Sequence, residues 1–439
     1  MTTGIDTEKQ CIMTEALPPQ VSIRRVVLAS FVGTAIEWYD FFLYGTAAAL
    51  VFNKLFFPEF DSRAGTMMSY GTFAVGFFAR PLGGVVFGHF GDRLGRKAML
   101  VITLMMMGMA TFLVGCLPTY ETIGVAAPLI LVLLRFIQGL GVGGEWGAAV
   151  LMVVEHAEKN RRGLYASCVQ AGVGVGLLLS TGAFSLLSRM PEDDFLSWGW
   201  RIPFLFGIVL MGIGFLIRLQ IVESPVFQQM KLTEPEVKVP LFEVLRNYPR
   251  NVLLAMGARL AENSSFYIFT VWVLSYVKEE LSISPDIPLN GVLIACAVQL
   301  ISIPMFGALS DRLGRRPVYL AGAFAMLLWA FPFFWLVDTK RPEWIWTAIL
   351  VGTTAHAAMY GPQAAFFSEL FGTRTRYTGA SLGYQLASPL AGGLAPFIAS
   401  SLLKWTAGNP WPVAVYLMIM TVLTIGSVIA AGETHRQEL

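Results

Sequence analysis

The chain has 439 residues, 55% of them hydrophobic and only 14% charged, with a mean hydropathy of +0.62 and a formal net charge of +2. An ordinary soluble domain carries about 25% charged residues, so this composition excludes a soluble globular protein. It also gives no basic stripe with interleaved aromatics for nucleic acid, and no Walker A loop or H-E-x-x-H for an ATP-driven pump or a metallohydrolase.

Residues 1–24 form a polar opening stretch that lacks the apolar core and small-residue cleavage site of a secretory signal, and they are expected to be a cytoplasmic tail. Crossing a hydrocarbon core of about 30 Å takes about 20 mainly apolar residues. Windows of that kind lie at 25–52, 66–90, 98–117, 125–153, 164–187 and 202–222, and, after a polar stretch at 223–250, at 251–277, 289–309, 318–337, 343–369, 378–402 and 411–432. The alternating segments of about ten residues that a membrane β-barrel needs are absent. The expected fold is an all-α membrane protein of twelve transmembrane helices in two pseudo-symmetric six-helix bundles, 25–222 and 251–432. A cytoplasmic linker, 223–250, joins them, and a short tail, 433–439, follows. With the N-terminus inside, twenty of the 31 Lys and Arg residues fall on the cytoplasmic side and eight on the other, while Arg80, Arg135 and Arg259 lie within helices. The positive-inside rule therefore places both termini in the cytoplasm. Cys11, Cys116, Cys168 and Cys296 fall singly with no C-x-x-C spacing, so neither a metal site nor a disulfide framework is expected.

Between the second and third windows the chain reads GHFGDRLGRK, 88–97, and between the eighth and ninth GALSDRLGRR, 307–316. Six of ten positions agree at a constant offset of 219. Equivalent loops on one face of two six-helix halves point to parallel repeats of a carrier that rocks about a midplane site. VEHAEKNRRG and SELFGTRTRYTG each set a carboxylate, Glu155 and Glu369, before basic residues at equivalent places. His89 lies in one loop copy only and reads as a solvated residue.

An ionised group at the bilayer centre costs at least about 2.5 to 3.5 kcal/mol, so each is expected to face a cavity or a partner. The first window holds Glu37 and Asp40 beside Trp38 and Tyr39. The fourth carries Arg135, Gln138, Val142 and Glu145 at helical spacing, with Gly139, Gly143 and Gly147 four apart where another helix can approach closely. The seventh holds Arg259, Glu262 and Asn263, and the tenth His356, Tyr360 and Gln363. Gln170, Tyr384 and Gln385 add hydrogen-bonding groups for a ligand or for helix contacts, and Arg80, before Pro81, reads as a brace of the second helix. For Glu37, Asp40, Arg135 and Glu145 a static ion network is the alternative to a transport role, and for His356 a packing residue is the alternative to a proton relay.

The repeated Gly-x-x-x-Asp-Arg-x-Gly-Arg loop resembles the hallmark of the major facilitator superfamily, over essentially all twelve helices. In that family the loop is a latch that closes the cytoplasmic side. The resemblance implies this role for Gly88, Asp92, Arg93, Gly95, Arg96 and Glu155, and for Gly307, Asp311, Arg312, Gly314, Arg315 and Glu369. EWYDF in the first helix and R-x-x-Q-G-x-x-x-G-G-E in the fourth resemble the metabolite:proton symporter group, whose members carry shikimate, citrate, 2-oxoglutarate, proline/betaine and related solutes. This implies proton coupling through Asp40, Glu37, Arg135 and Glu145, with Asp40 facing Arg135. It also implies substrate contacts from Arg135, Gln138, Gln170, Arg259, Glu262, Asn263, His356, Tyr360, Gln363, Tyr384 and Gln385. Arg-Leu-x-Glu at 259–262 in the seventh helix, His356 and Gln363 in the tenth and RYTGASLGYQLAS in the eleventh look most similar to shikimate carriers within the group. The expected protein is thus no enzyme and needs no cofactor. It is a monomer in the bacterial inner membrane that couples protons to uptake of a small organic acid; zwitterion uptake and metabolite export are the alternatives.

Overall fold

A computed structural model describes residues 22–59, 62–187, 189–220, 240–284 and 286–435, together with Glu223 and Gln228. Cys11, most of the N-terminal tail and of the linker, and residues 436–439 lie outside the described residues.

Twelve membrane-length helical units follow in order: α1 (23–55), α2 (Ser62–Leu94), α3 (Arg96–Cys116), α4 (Ala126–His156), α5 (Arg162–Leu187), α6 (Arg201–Leu219), α7 (249–279), α8 (Asp286–Leu313), α9 (Arg315–Val337), α10 (Pro342–Glu369), α11 (376–405) and α12 (Trp411–Ala431). Most extend a few residues beyond their apolar windows, because a helix continues into the polar interface until its ends are capped. Ten are long and apolar enough to cross a membrane by length and hydropathy alone. The other two, α7 and α10, are the helices that carry Arg259, Glu262, Asn263, His356 and Gln363. Buried polar groups lower their mean hydropathy while their neighbours shield them from lipid. In the described part of 223–250, residues Pro240–Asn247 form a short helix before α7.

Within the first half α1 packs on α5, α2 on α4, and α3 on α4 and α6; in the second, α8 and α9 pack on α10, and α7 on α12. The halves meet where α5 lies along α8 and α10, and α2 along α11. An aromatic cluster of Trp38, Phe41, Phe42, Phe77, Phe266, Tyr267 and Tyr360 draws on both halves and marks the centre of the molecule. Apolar side chains such as Leu28, Phe78, Leu133, Ile301 and Leu328 are exposed on the outside, as lipid contact requires. Exposed tryptophans, Trp198, Trp335, Trp344, Trp405 and Trp411, lie at the face opposite the repeat loops, where an interfacial aromatic belt belongs.

Regular α-helix gives way to π-helix at 48–52 in α1, 268–272 in α7 and 388–393 in α11. The first two are separated by nearly the loop-repeat offset, so the halves share this local unwinding; such insertions re-aim the side chains around them. The string Gly379-Ala-Ser-Leu-Gly383 has the letters of a hydrolase nucleophile elbow, but it lies on continuous α-helix and not at a strand-to-helix turn.

Candidate functional site

The repeat loops build one closed face. Gly95 and Gly314 hold φ of 111° and 103°, a turn that only glycine makes without strain, and each reverses the chain from one helix into the next. A Cβ at Gly88 would stand 2.9 Å from the Thr378 Cα, and one at Gly307 would collide with Ser167 and Gly163, so these glycines let α2 approach α11 and α8 approach α5. One turn on, Asp92 accepts the Thr378 amide at 3.1 Å and its hydroxyl at 2.7 Å. Asp311 accepts the amides of Gly163 and Leu164, both at 2.8 Å. Each aspartate thus sits on the positive helix N-terminus of the opposite half. Arg96 backs Asp92 at 3.6 Å and Glu155 at 3.3 Å; Arg315 backs Asp311 at 2.6 Å and Glu369 at 3.1 Å. Arg376 crosses the halves to Glu155 at 3.6 Å, and the Tyr377 hydroxyl donates to the Gly144 carbonyl at 2.7 Å. On the opposite face, polar contacts such as Lys54 with Glu192 and Tyr276 with Asp338 each stay within one half.

Arg312 is exposed, and Arg93 bonds His89 on its own helix at 3.3 Å, which also makes His89 a helix residue and not a loop residue. Two carboxylates that sequence reasoning missed take part. Glu223 accepts the amides of Arg96 and Lys97 at the start of α3, and Glu433 those of Arg315 and Arg316 at the start of α9. Burial pushes the Glu433 carboxyl up, but the amides of His435, Arg315, Arg316 and Thr434 outweigh it and hold the group below the ordinary glutamate range.

Toward the centre the halves meet through Trp146, whose ring stacks on Tyr384 at 3.6 Å between centroids. Arg259 lies on the Tyr384 ring, 3.0 Å from its centroid. Gln170 accepts from the Trp146 indole at 2.9 Å and donates to the Tyr360 carbonyl at 2.7 Å, and Gln385 donates to the Val142 and Gly143 carbonyls. Both glutamines, expected as substrate contacts, are therefore engaged in joining the halves.

In the first half α2 and α4 touch backbone to backbone: a Cβ at Gly139 would strike the Gly76 carbonyl and one at Gly143 the Arg80 carbonyl, while Gly147 faces α11. This approach sets Arg135 under the rings of Phe41, Tyr44 and Phe73, at 4.5, 4.5 and 4.7 Å from their centroids. Arg135 Nη1 donates to Gln138 Oε1 at 3.2 Å and Gln138 Nε2 to the Thr111 hydroxyl at 2.8 Å, and the Asp40 carboxylate lies beside Thr111 with its Oδ1 lacking a hydrogen-bond partner. Asp40 and Arg135, expected to face each other, have Gln138 and Thr111 between them, because Asp40 points between α3 and α6 toward Thr111 and Gly207. Nε and Nη2 of Arg135 have no hydrogen-bond partner.

Glu145, expected on the stripe of Arg135, faces α3 and α6. It pairs with Arg218 of α6, which donates to Glu145 Oε2 at 3.0 Å and also bonds Glu145 Oε1 and the Leu100 carbonyl; the Thr103 hydroxyl adds a bond at 2.9 Å. Arg218, one of the charges counted on the cytoplasmic side, lies near the end of α6 and is 1% exposed, because Gly33 of α1 leaves room for its guanidinium. Glu37 lies within electrostatic range of Arg80, Arg218 and Asp40. Arg80, expected as a brace, is 1% exposed with its guanidinium over Phe41 at 4.3 Å, Phe77 at 4.4 Å and Trp38 at 5.5 Å.

In the second half Glu262 gathers its neighbours. Arg259 lies 3.8 Å away, His356 Nε2 3.1 Å and Gln363 Nε2 3.3 Å, and Gln363 also bonds the Tyr319 hydroxyl at 2.8 Å. Gln299, which the sequence did not single out, donates to the Thr353 carbonyl at 3.1 Å and meets His356 Nδ1 at 3.0 Å. In this arrangement Nδ1 accepts and Nε2–H donates to Glu262. Asn263 Nδ2 and the Tyr267 hydroxyl are buried without a hydrogen-bond partner. Among the described residues no cluster of His, Cys, Asp and Glu suits a metal ion.

The sequence pattern of the Major Facilitator Superfamily matches residues 30–396. The Shikimate transporter of Escherichia coli K12 is 46% identical over 417 residues, 94% of this chain and 95% of the other. The Inner membrane metabolite transport protein YhjE of the same organism is 42% identical over 427 residues, 96% and 97% of the two chains. The proton:xylose symporter XylE bound to 6-bromo-6-deoxy-D-glucose superposes with a TM-score of 0.76 at 17% identity, covering 94% of this chain and 96% of that one. Twelve helices in two matched halves, a repeated loop closing one face, and a family pattern spanning both halves lead to one conclusion: the chain belongs to the major facilitator superfamily, as a multi-pass membrane transporter.

Proposed function

We infer that this transporter couples inward proton movement to uptake of a small organic acid, a hydroxylated monocarboxylate of the shikimate type first, with the loop face and both termini in the cytoplasm. The observation that carries this reading is a balance of buried charge. Four arginines (Arg80, Arg135, Arg218, Arg259) share the interior with four carboxyl groups (Glu37, Asp40, Glu145, Glu262), all of them 4% exposed or less. Charge in a low-dielectric interior is costly, so the site is held near neutrality. One proton on a carboxylate leaves one positive charge in excess, and one carboxylate anion cancels it. The free N–H groups of Arg135 and Arg259 suit that anion, and the 46% identity to a protein named for shikimate transport supports the choice of acid. A monoanion entering with one proton moves no net charge, so the pH difference alone drives uptake.

The test is uptake of labelled shikimate into proteoliposomes with an alkaline interior, with unlabelled citrate, 2-oxoglutarate, protocatechuate and betaine as competitors. Accumulation that a protonophore collapses establishes symport, and competition ranks the acids. Entry of betaine alone overturns the anionic reading.

Asp40 is the proton carrier in this mechanism, since its charge is felt by Arg135 through Thr111 and Gln138. Asp40→Asn keeps counterflow exchange and loses pH-driven accumulation; normal accumulation in that variant assigns the proton elsewhere. The closed loop face is the latch of the outward-facing state. Asp92→Ala with Asp311→Ala removes acceptors for three helix-terminal amides and raises labelling of a Ser381→Cys probe by an impermeant maleimide in inside-out vesicles about tenfold. An unchanged labelling rate shows that these contacts do not gate the passage.

A further inference from the structure

Arg80 has no assigned task, yet its surroundings are those of a ligand-binding group. Its Nε and Nη2 are buried without a hydrogen-bond partner, and among the described residues no carboxylate forms an ion pair with it. Three rings, Trp38, Phe41 and Phe77, hold its guanidinium. Such stacking keeps a cation's fork flat and leaves its edge free for a planar oxyanion. Within electrostatic range lie Glu37 of α1, Arg135 of α4, Arg259 and Tyr267 of α7, and Tyr360 of α10, so Arg80 stands at the boundary between the halves. Phe41 is the shared feature: Arg80 and Arg135 stack on the same ring, at 4.3 and 4.5 Å, which puts the two guanidinium carbons no more than about 9 Å apart. Two like charges held that close with free N–H groups are stabilised by an anion that both can reach.

We propose that Arg80 is a second anion-binding residue of the central site, gripping the carboxylate of the transported acid beside Arg135 while the ring of the substrate rests among Trp38, Phe41 and Phe77. The proposal rests on the organic-acid reading above. The two arginines divide the work. Arg135 leads through Gln138 to Thr111 beside Asp40 and so links the anion to the proton, whereas Arg80 has no hydrogen-bonded path of this kind and contributes affinity and selectivity for charge.

The experiment measures binding of shikimate and of its uncharged methyl ester to the full-length protein in nanodiscs, for wild type, Arg80→Gln and Arg80→Lys, with the proton:substrate ratio of residual uptake measured in parallel. Wild type prefers the acid. Arg80→Gln weakens acid binding about 30-fold or more while ester binding changes little, so the preference shrinks, and the proton ratio is unchanged. Arg80→Lys keeps the charge, loses the planar fork, and falls between the two. Should Arg80→Gln fail to give a monodisperse protein, the Lys variant still decides, because a purely structural arginine leaves the acid-to-ester preference unaltered. An unchanged preference in a folded variant of a wild type that binds the acid overturns the role of Arg80 alone. A wild type that binds betaine and none of the acids overturns it together with the organic-acid reading.

Discussion

Arg135→Ala leaves a carrier that neither binds nor exchanges organic acid, with affinity lowered on the order of 100-fold or more. The size follows from what the side chain does at once. Its guanidinium is stacked beneath three rings, its Nη1 holds Gln138, and its remaining N–H groups are buried with nothing to satisfy them. Truncating one partner of a buried charged contact costs about 2 to 5 kcal/mol, and here the hydrogen bond to Gln138 is lost as well. Arg135→Lys recovers only part, since an ammonium cannot serve Gln138 and an oxyanion in one plane. Isothermal titration of the purified protein with shikimate, together with counterflow, checks this. Retained affinity in the alanine variant reduces Arg135 to a packing role.

Glu145→Ala destabilises the protein by about 3 to 5 kcal/mol, because it strands the Arg218 guanidinium inside the first half. Glu145→Leu combined with Arg218→Met recovers most of that loss, as replacing both members of a buried pair with apolar groups commonly does. Thermal unfolding followed by size-exclusion chromatography in detergent separates the variants. The outcome distinguishes the two readings of Glu145 open from the sequence. A stable Glu145→Ala protein that has lost only proton coupling makes Glu145 a carrier of protons; an unstable one rescued by the paired change makes it a brace.

Much of this architecture was legible in the chain. Apolar windows marked the helices, and the repeated loop revealed the two halves. Gly139 and Gly143 foretold a close helix contact, and the charges of α1, α4, α7 and α10 pointed to the interior. Helical spacing, however, states only which residues share a stripe of one helix. Arg135 and Glu145 share such a stripe in sequence, yet one reaches the aromatic centre and the other Arg218, since ten residues of helix and long side chains leave room for both directions. Arg218 counted as a cytoplasmic-side charge because it lies at the end of the sixth window; only the space above Gly33 shows that it turns inward.

The sequence by itself determined membrane residence, the number of spans and their twofold repetition, because those depend on local hydropathy and on similarity between segments. It also determined that paired charges must meet inside, because hydrocarbon does not tolerate them alone. Which charges meet was decided by tertiary structure. The rotation of each helix, set by glycine contacts between α2 and α4 and by the aromatic cluster between the halves, brought Arg80 and Arg135 to the same Phe41 ring and placed Thr111 and Gln138 between Arg135 and Asp40. Those are non-local distances, fixed by packing in three dimensions and carried by no single segment of the chain.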